Sequence, residues 1–277
     1  MNGRIAARFA AAGKAGEKIL IPFITAGDPE PGWTVAIMHA LVDAGAGLLE
    51  LGVPFSDPAA DGRVIQEASE RAIEKHVDLH RVLTMVEEFR GKDDETPVVL
   101  MGYMNPVERF GRTEFPPAAK QAGVDGLLLV DCPPEERGDL GEAMITAGLD
   151  GICLVAPTTT RARVEMIAAA ASGFIYYVSL KGITGSGQLS APELSQPVQQ
   201  IRDFSDLPVA VGFGIKNAEM AAAVAEHADA VVIGSALVQA LSEAKSEENA
   251  CAIAEAFVAP VRKALDNTAL AKQDTLD

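Results

Sequence analysis

The sequence predicts an α/β fold, a (β/α)8 TIM barrel, and two observations support it. Eight short runs rich in Val, Ile and Leu recur along the 277 residues, and Ala-rich stretches with helical spacing separate them. Strands that alternate with helices form parallel sheets, and eight such units in about 250 residues are typical of this barrel. The predicted strands are residues 19–24, 48–53, 98–103, 126–130, 151–155, 174–178, 208–212 and 230–234.

The stretches between these runs predict the helices. An open doubly wound sheet is the alternative architecture, but no GxGxxG motif follows the first strand. Ile5 and Phe9 are four residues apart, which predicts a further helix before the first strand. No linker divides the chain, so we predict one domain over residues 1–277, with 268–277 as a loosely held tail. The clearest helical patterns are residues 33–44, 79–89, 161–170 and 218–225.

Composition narrows the partners and the compartment. The chain has 23 Lys and Arg against 39 Asp and Glu, a net charge of −16, which disfavours nucleic acid and anionic membranes. Cys132, Cys153 and Cys251 share no close spacing, which indicates a reducing compartment rather than a disulfide framework. No apolar run reaches the roughly 18 residues that span a bilayer. We therefore expect a cytoplasmic protein with no nucleic-acid or membrane partner.

Glu50 is the strongest single candidate for catalysis. Side chains alternate along the second predicted strand, so Leu49, Leu51 and Val53 face the surrounding helices and Glu50 points into the barrel. An ionised carboxylate there is costly unless it is paired, so its pKa should rise toward that of a general acid. The alternatives are an internal salt bridge or a strand-end carboxylate that reaches solvent.

A second carboxylate, Asp61, follows in a loop rich in turn-forming residues. The interval between the second and third strands is the longest in the chain, and long loops after barrel strands carry active sites. Two carboxylates at one apolar cavity can be held in different protonation states, one as an acid and one as an anion. Asp57 competes for this role, although Ser-Asp-Pro is ordinary turn chemistry.

Small residues at the ends of the last two strands predict a phosphate site. Gly212, Phe213 and Gly214 end the seventh strand, and Gly234 and Ser235 end the eighth. Barrels bind phosphate at this position through backbone N–H groups, and glycine lets the backbone approach the anion closely. Ser235 is also a suitable cap for the following helix, which is the structural alternative.

Two other features are weaker candidates. Lys181 follows the sixth strand, where a lysine can form a Schiff base with a carbonyl substrate. However, it lies in a Gly-rich stretch, which favours an exposed lysine on a loop. His76 and His80 are four residues apart, but no HExxH motif is present and the stretch is polar. We therefore expect no metal site.

The motifs together resemble the tryptophan synthase alpha family. The long signature at residues 49–66 reads LELGVPFSDPAADGRVIQ, and similarity continues in order through PFITAGDP, MGYMNP, VDCPPEE, GITG, GFGI and GS. The resemblance implies a (β/α)8 barrel with an extra N-terminal helix at its bottom. It also implies a lyase that reversibly cleaves indole-3-glycerol phosphate to indole and glyceraldehyde 3-phosphate.

The resemblance assigns roles to matching positions. Glu50 would protonate indole C3 and help take the glycerol hydroxyl proton, and Asp61 would hold the indole N–H and stabilise the positive charge of the intermediate. Thr184 would hydrogen-bond Asp61 when its loop closes. The implied indole-pocket wall is Phe23, Met101, Tyr103, Leu128, Val130, Leu154, Tyr176 and Phe213. The implied phosphate contacts are Gly185, Gly212, Phe213, Gly214, Gly234 and Ser235.

The resemblance also implies a partner. Indole would pass to a pyridoxal-phosphate-dependent beta subunit in an α2β2 complex, and the alpha chain itself needs no metal or organic cofactor. Asp57, Pro58 and Arg63 lie in the implied interface loop. In this loop the chain departs from the family pattern at two positions, because Ala59 replaces a usual Leu and Arg63 a usual Pro. The competing functions are a Schiff-base phosphosugar aldolase that uses Lys181 and a catalytically silent barrel that only activates a partner.

Overall fold

The computed structural model describes residues 3–179, 191–212 and 214–273. Eight parallel strands close into a barrel in chain order, from β1 to β8, with β8 paired to β1. All eight predicted strands are confirmed, and each end lies within one residue of its prediction. The strands are β1 Ile19–Thr25, β2 Leu49–Gly52, β3 Val98–Gly102, β4 Gly126–Leu129, β5 Asp150–Val155, β6 Ile175–Val178, β7 Val209–Gly212 and β8 Ala230–Ile233.

Helices surround the barrel and cover its outer face. Short 3-10 turns at Pro31–Trp33 and Pro134–Glu136 precede α2 and α7. The last helix continues to Gln273, into the segment predicted as a tail. No helix in the described ranges is long and apolar enough to cross a membrane. The helices are α1 Arg4–Ala15, α2 Thr34–Asp43, α3 Arg63–Glu74, α4 Leu79–Arg90, α5 Met104–Phe110, α6 Phe115–Ala122, α7 Gly138–Ala147, α8 Arg161–Ala170, α9 Ala191–Arg202, α10 Ala218–Ala225, α11 Ser235–Leu241 and α12 Glu247–Gln273.

Alternating side chains divide the core into two layers. Leu49 and Leu51 pack outward in the large layer between the strands and the helices, whereas Leu48 belongs to the smaller layer inside the barrel. This is the alternation predicted for the second strand. The inner layer is built mainly from aliphatic side chains, and its aromatic members are Phe9, Phe174 and Tyr176. The barrel is therefore a packed core, and the position of Glu50 within it is set by strand register.

The first helix, which the spacing of Ile5 and Phe9 predicted, closes the bottom of the barrel, as the resemblance implied. Both side chains are buried in the inner layer, and the Phe9 ring lies 5.8 Å from that of Phe174. The buried Asp125 carboxylate fastens this end, because it accepts hydrogen bonds from Arg4 at 2.9 Å and Arg90 at 2.8 Å. The helix leaves the carboxyl ends of the strands open, and the site lies there.

Candidate active site

A cavity of about 310 Å³ opens at the carboxyl ends of the strands. Its wall combines two carboxylates with apolar side chains and with backbone from the loops after β7 and β8. This is the face on which barrel enzymes carry their active sites. The lining residues are Phe23, Glu50, Ala60, Asp61, Gly62, Val64, Ile65, Met101, Tyr176, Gly214, Ile215, Lys216, Val232, Gly234, Ser235, Ala236 and Gln239.

Glu50 lies on β2, in register with Phe23 of β1 and Val99 of β3. Only 2% of the residue is exposed, and its Oε1 has no hydrogen-bond partner among the described residues. Burial, and then the charge of Asp61, raise the pKa of Glu50 to about 8. Desolvation disfavours the charged form, so this side chain is mostly a neutral carboxylic acid at neutral pH. Glu50 therefore forms no internal salt bridge within the described part of the chain, although the sequence left that alternative open.

Asp61 is held by its loop and by Tyr103. Its backbone N–H donates to the carbonyl of Pro58 at 2.9 Å, and its own carbonyl accepts from Gln66 Nε2 at 2.9 Å. The Tyr103 hydroxyl donates to the Asp61 carboxylate and accepts from the N–H of Ala60 at 3.1 Å. Burial raises the pKa of Asp61, and the hydrogen bond from Tyr103 opposes that rise by stabilising the anion.

Tyr103 is kept as a hydrogen-bond donor by its surroundings. Burial, and then the negative charge of Asp61, raise the pKa of the Tyr103 phenol well above its usual value. The ring also packs against Phe55, with centroids 5.2 Å apart. Within the described residues, the site thus contains one carboxyl on the strand whose Oε1 has no hydrogen-bond partner, and one carboxyl on the loop that accepts from a neutral donor. Such a pair of environments separates an acid from an anion.

Two glycines make room for the aromatic side chains of the pocket. A Cβ at Gly212 would lie 2.3 Å from Tyr176 Oη, and a Cβ at Gly52 would lie 2.6 Å from Phe23 Cζ. Both distances are far inside van der Waals contact. Gly212 is therefore placed behind the Tyr176 ring, and it is not among the residues that line the main cavity.

The structure brings together only part of the set that the sequence and the resemblance indicated. Of the predicted pocket wall, Phe23, Met101 and Tyr176 line the main cavity, and Tyr103 lines a smaller one beside it. Leu128, Val130 and Leu154 pack inside the barrel below and do not line either cavity in the described part of the chain. Of the predicted phosphate contacts, Gly214, Gly234 and Ser235 line the main cavity. Lys181, Thr184, Gly185 and Phe213 lie outside the described residues.

The predicted interface residues lie on and next to the Asp61 loop. Asp57 is exposed and accepts a hydrogen bond from Ser56 Oγ at 2.5 Å, and Pro58 is half-buried. Arg63 begins α3, is exposed, and pairs with Glu67 at 2.6 Å. These side chains are therefore accessible from outside while the same loop holds Asp61 in the cavity.

Lys216 is the main residue that sequence reasoning missed. It lines the cavity with Gly214 and Ser235. A cation beside two backbone turns suits a phosphate. The available signal was its position two residues after Gly214, in the loop where phosphate was already expected.

Fold and site together define a (β/α)8-barrel enzyme with two carboxyl groups in one largely apolar cavity. A family model described as tryptophan synthase alpha chain matches residues 9–266. The chain belongs to this family, whose members are lyases that act on indole-3-glycerol phosphate.

Individual relatives match over nearly their whole length. The tryptophan synthase alpha chain of Burkholderia pseudomallei (strain 1106a) is 55% identical over 266 residues, which cover 96% of this chain and 98% of the relative. The tryptophan synthase alpha chain of Methylococcus capsulatus is 53% identical, and the match covers 95% of this chain and 99% of the relative. Subunit alpha from Legionella pneumophila str. Paris superposes with a TM-score of 0.89 at 45% identity, covering 96% of this chain and all of that one. The aminoacrylate-bound form of tryptophan synthase from M. tuberculosis superposes with a TM-score of 0.85 at 32% identity. The match covers 95% of this chain and 100% of that one.

Proposed function

We propose that Glu50 and Asp61 together catalyse the cleavage of indole-3-glycerol phosphate to indole and glyceraldehyde 3-phosphate. The observation that carries this assignment is the buried Glu50 carboxyl, whose Oε1 has no hydrogen-bond partner among the described residues and whose pKa of about 8 keeps it protonated in the cavity that also holds Asp61. A general acid is most effective when its pKa lies near the working pH.

Glu50 can act as both the acid and the base of this reaction, because it donates one proton and later accepts another. Glu50 gives its proton to indole C3, which turns the ring into an electrophilic, positively charged intermediate. The bond from C3 to the glycerol carbon breaks, and its electron pair returns to the ring and restores the neutral indole. The hydroxyl on that carbon becomes a carbonyl and gives its proton to the Glu50 carboxylate, which regenerates the acid.

Asp61 acts on the charge that appears during this sequence. Its carboxylate accepts a hydrogen bond from the indole N–H and stabilises the positive charge of the intermediate. The charge is absent in the substrate, so this interaction is stronger at the transition state than in the ground state. The hydrogen bond from Tyr103 favours the anionic form of Asp61 and opposes the rise in its pKa that burial causes.

Gly214, Gly234 and Ser235 would bind the phosphate through their backbone, with Lys216 as a nearby cation. These residues line the cavity that contains the carboxylates, and the apolar remainder of the wall suits an indole ring. Phosphate binding anchors the substrate away from the bond that breaks, so that binding energy orients the reacting carbon.

Indole release from indole-3-glycerol phosphate by the purified chain is the direct test. Glu50→Gln should reduce turnover by at least about 100-fold, because Gln cannot transfer a proton, and the same loss is expected for Asp61→Asn. Glu70→Gln, an exposed carboxyl on α3, is the matched control and should behave as wild type. A Glu50→Gln chain that kept a third of wild-type turnover would refute the assignment. Borohydride trapping of a covalent lysine adduct would instead support the Schiff-base aldolase.

We further propose that the chain acts in the cytoplasm with a pyridoxal-phosphate-dependent beta subunit in an α2β2 complex, and that it requires no cofactor of its own. Indole is neutral and membrane-permeant, so direct transfer avoids its loss. The accessible residues Asp57, Pro58 and Arg63 adjoin Asp61, so a partner on this surface would influence catalytic geometry. The purified chain should sediment with a beta subunit, which should raise its turnover, and Asp57→Ala should weaken that activation more than basal activity. No complex at micromolar concentration would contradict the proposal.

A further inference from the structure

A second, much smaller cavity lies beside the main one, and Asp61 belongs to the walls of both. Its volume of about 10 Å³ is close to that of a single water probe, so it holds at most one water molecule. Most of its wall is apolar. The polar side chains in that wall are Asp61 and Tyr103 from the site, together with Thr25 and Ser69, to which the mechanism assigns no role.

Thr25 and Ser69 place buried hydroxyls in this wall from two different elements. Thr25 is the last residue of β1 and is 2% exposed, and its Oγ1 is buried with no hydrogen-bond partner among the described residues. Ser69 lies on the buried face of α3 and is 4% exposed. A buried hydroxyl without a protein partner is costly, and ordered water is the usual way in which such a group is satisfied.

We propose that this cavity binds one ordered water molecule that links Thr25 and Ser69 to the carboxylate of Asp61. The water accepts a hydrogen bond from the Thr25 hydroxyl and donates one each to the Asp61 carboxylate and to Ser69 Oγ. Thr25 and Ser69 are then positioning residues, which act on the substrate only through Asp61. The catalytic consequence rests on the function proposed above for Asp61, whereas the water site itself does not.

The water supplies Asp61 with a second donor besides Tyr103. Two donors fix the carboxylate plane and favour its ionised form, which is the form that stabilises a cationic intermediate. The titratable groups that face Asp61 in the described ranges are Glu50 from β2 and Tyr103 after β3, and Lys216 lines the same main cavity. Loss of the water would therefore raise the pKa of Asp61. Activity would then begin to fall at a higher pH as the solution is made more acidic.

The critical variant is Thr25→Val, which keeps the branched shape and removes the hydroxyl. We expect the acid limb of its kcat/KM profile for indole-3-glycerol phosphate to move up by about one pH unit, with KM changed less than kcat. Thr25→Ser, which keeps the hydroxyl, should restore the wild-type limb, and Ser69→Ala should shift it in the same direction as Thr25→Val. If the acid limb of the kcat/KM profile of Thr25→Val coincides with that of wild type, even with a lowered Tm, then Thr25 is not a positioning residue.

A crystal structure of the wild-type chain tests the water independently of activity. An ordered water within hydrogen-bond distance of Thr25 Oγ1 and the Asp61 carboxylate is expected, and its absence from well-defined density would refute the site even if Thr25→Val fails to fold. Asp61→Asn separates the two proposals. Wild-type turnover in that variant together with an observed water would remove the function proposed for Asp61 and leave the water site standing.

Discussion

Replacement of Glu50 with Gln should stabilise the fold at alkaline pH even though it abolishes turnover. The Glu50 carboxyl is buried on β2 without a partner in the described structure, and burial raises its pKa from the ordinary value of 4.5 to about 8. Below pH 4.5 this carboxyl is protonated in both the folded and the unfolded chain. Between pH 4.5 and about 8 only the folded chain keeps the proton, so the free energy of unfolding falls as the pH rises.

The size of the effect follows from the two pKa values. Each pH unit between them costs about 1.4 kcal/mol, so the loss is about 3 kcal/mol at pH 7 and approaches about 5 kcal/mol above pH 8. Gln is nearly isosteric and does not ionise, so its buried amide contributes an offset that does not vary with pH. The free energy of unfolding of Glu50→Gln minus that of wild type should therefore grow steadily with pH.

Urea unfolding of both chains from about pH 5 to about pH 9 measures this difference. Glu70→Gln removes an exposed carboxyl from α3 and should give a nearly constant difference over the same range. A Glu50→Gln difference that stays within about 1 kcal/mol between the two pH limits would show that Glu50 ionises normally in the fold. That result would also remove the physical basis for its role as the acid.

Three further outcomes are expected elsewhere in the chain. Lys216→Met should raise KM for indole-3-glycerol phosphate about tenfold with little change in kcat, and added salt should weaken wild-type binding more than that of the variant, as steady-state assays would show. Gly212→Ala should cost about 1–3 kcal/mol in urea unfolding, because its Cβ meets Tyr176 Oη at 2.3 Å, and Tyr176→Phe in the same chain should recover part of that loss. Asp125→Asn should lower stability by about 3 kcal/mol while kcat stays near wild type, since this buried carboxylate pairs with two arginines at the far end of the barrel.

The fold could be predicted almost completely from the sequence because its signals are local. Strand alternation placed Leu49 and Leu51 outside and Glu50 inside, and the barrel register confirms that arrangement. Where a strand end differs from the prediction, it differs by one residue, because hydrogen bonding rather than hydrophobicity decides where a ladder stops. The helical pattern of Ile5 and Phe9 likewise predicted α1, and the structure shows that this helix closes the barrel.

The site was less predictable because its remaining members depend on distances between loops. The loop length and the two carboxylates pointed to Glu50 and Asp61, but nothing local indicates that Tyr103 reaches across to Asp61. Gly212 was expected at the phosphate, and only the packing of Tyr176 shows why a side chain does not fit there. Lys216 was missed because a single exposed lysine carries no periodic signal.

Glu50 lies on a strand and Asp61 on a loop, so the two carboxyl groups differ in how rigidly they are held. Glu50 is fixed by its neighbours on β1 and β3, whereas Asp61 depends on loop contacts and on Tyr103. The charge of Asp61 is the second cause of the raised pKa of Glu50, after burial. Asp61→Asn removes that charge, so the pKa of Glu50 should fall below about 8 but stay above 4.5. The loss of stability with rising pH should then end at a lower pH than in wild type, in the same urea titration. An unchanged end point would mean that the two groups do not interact, and that displacement of the Asp61 loop cannot adjust the acidity of Glu50.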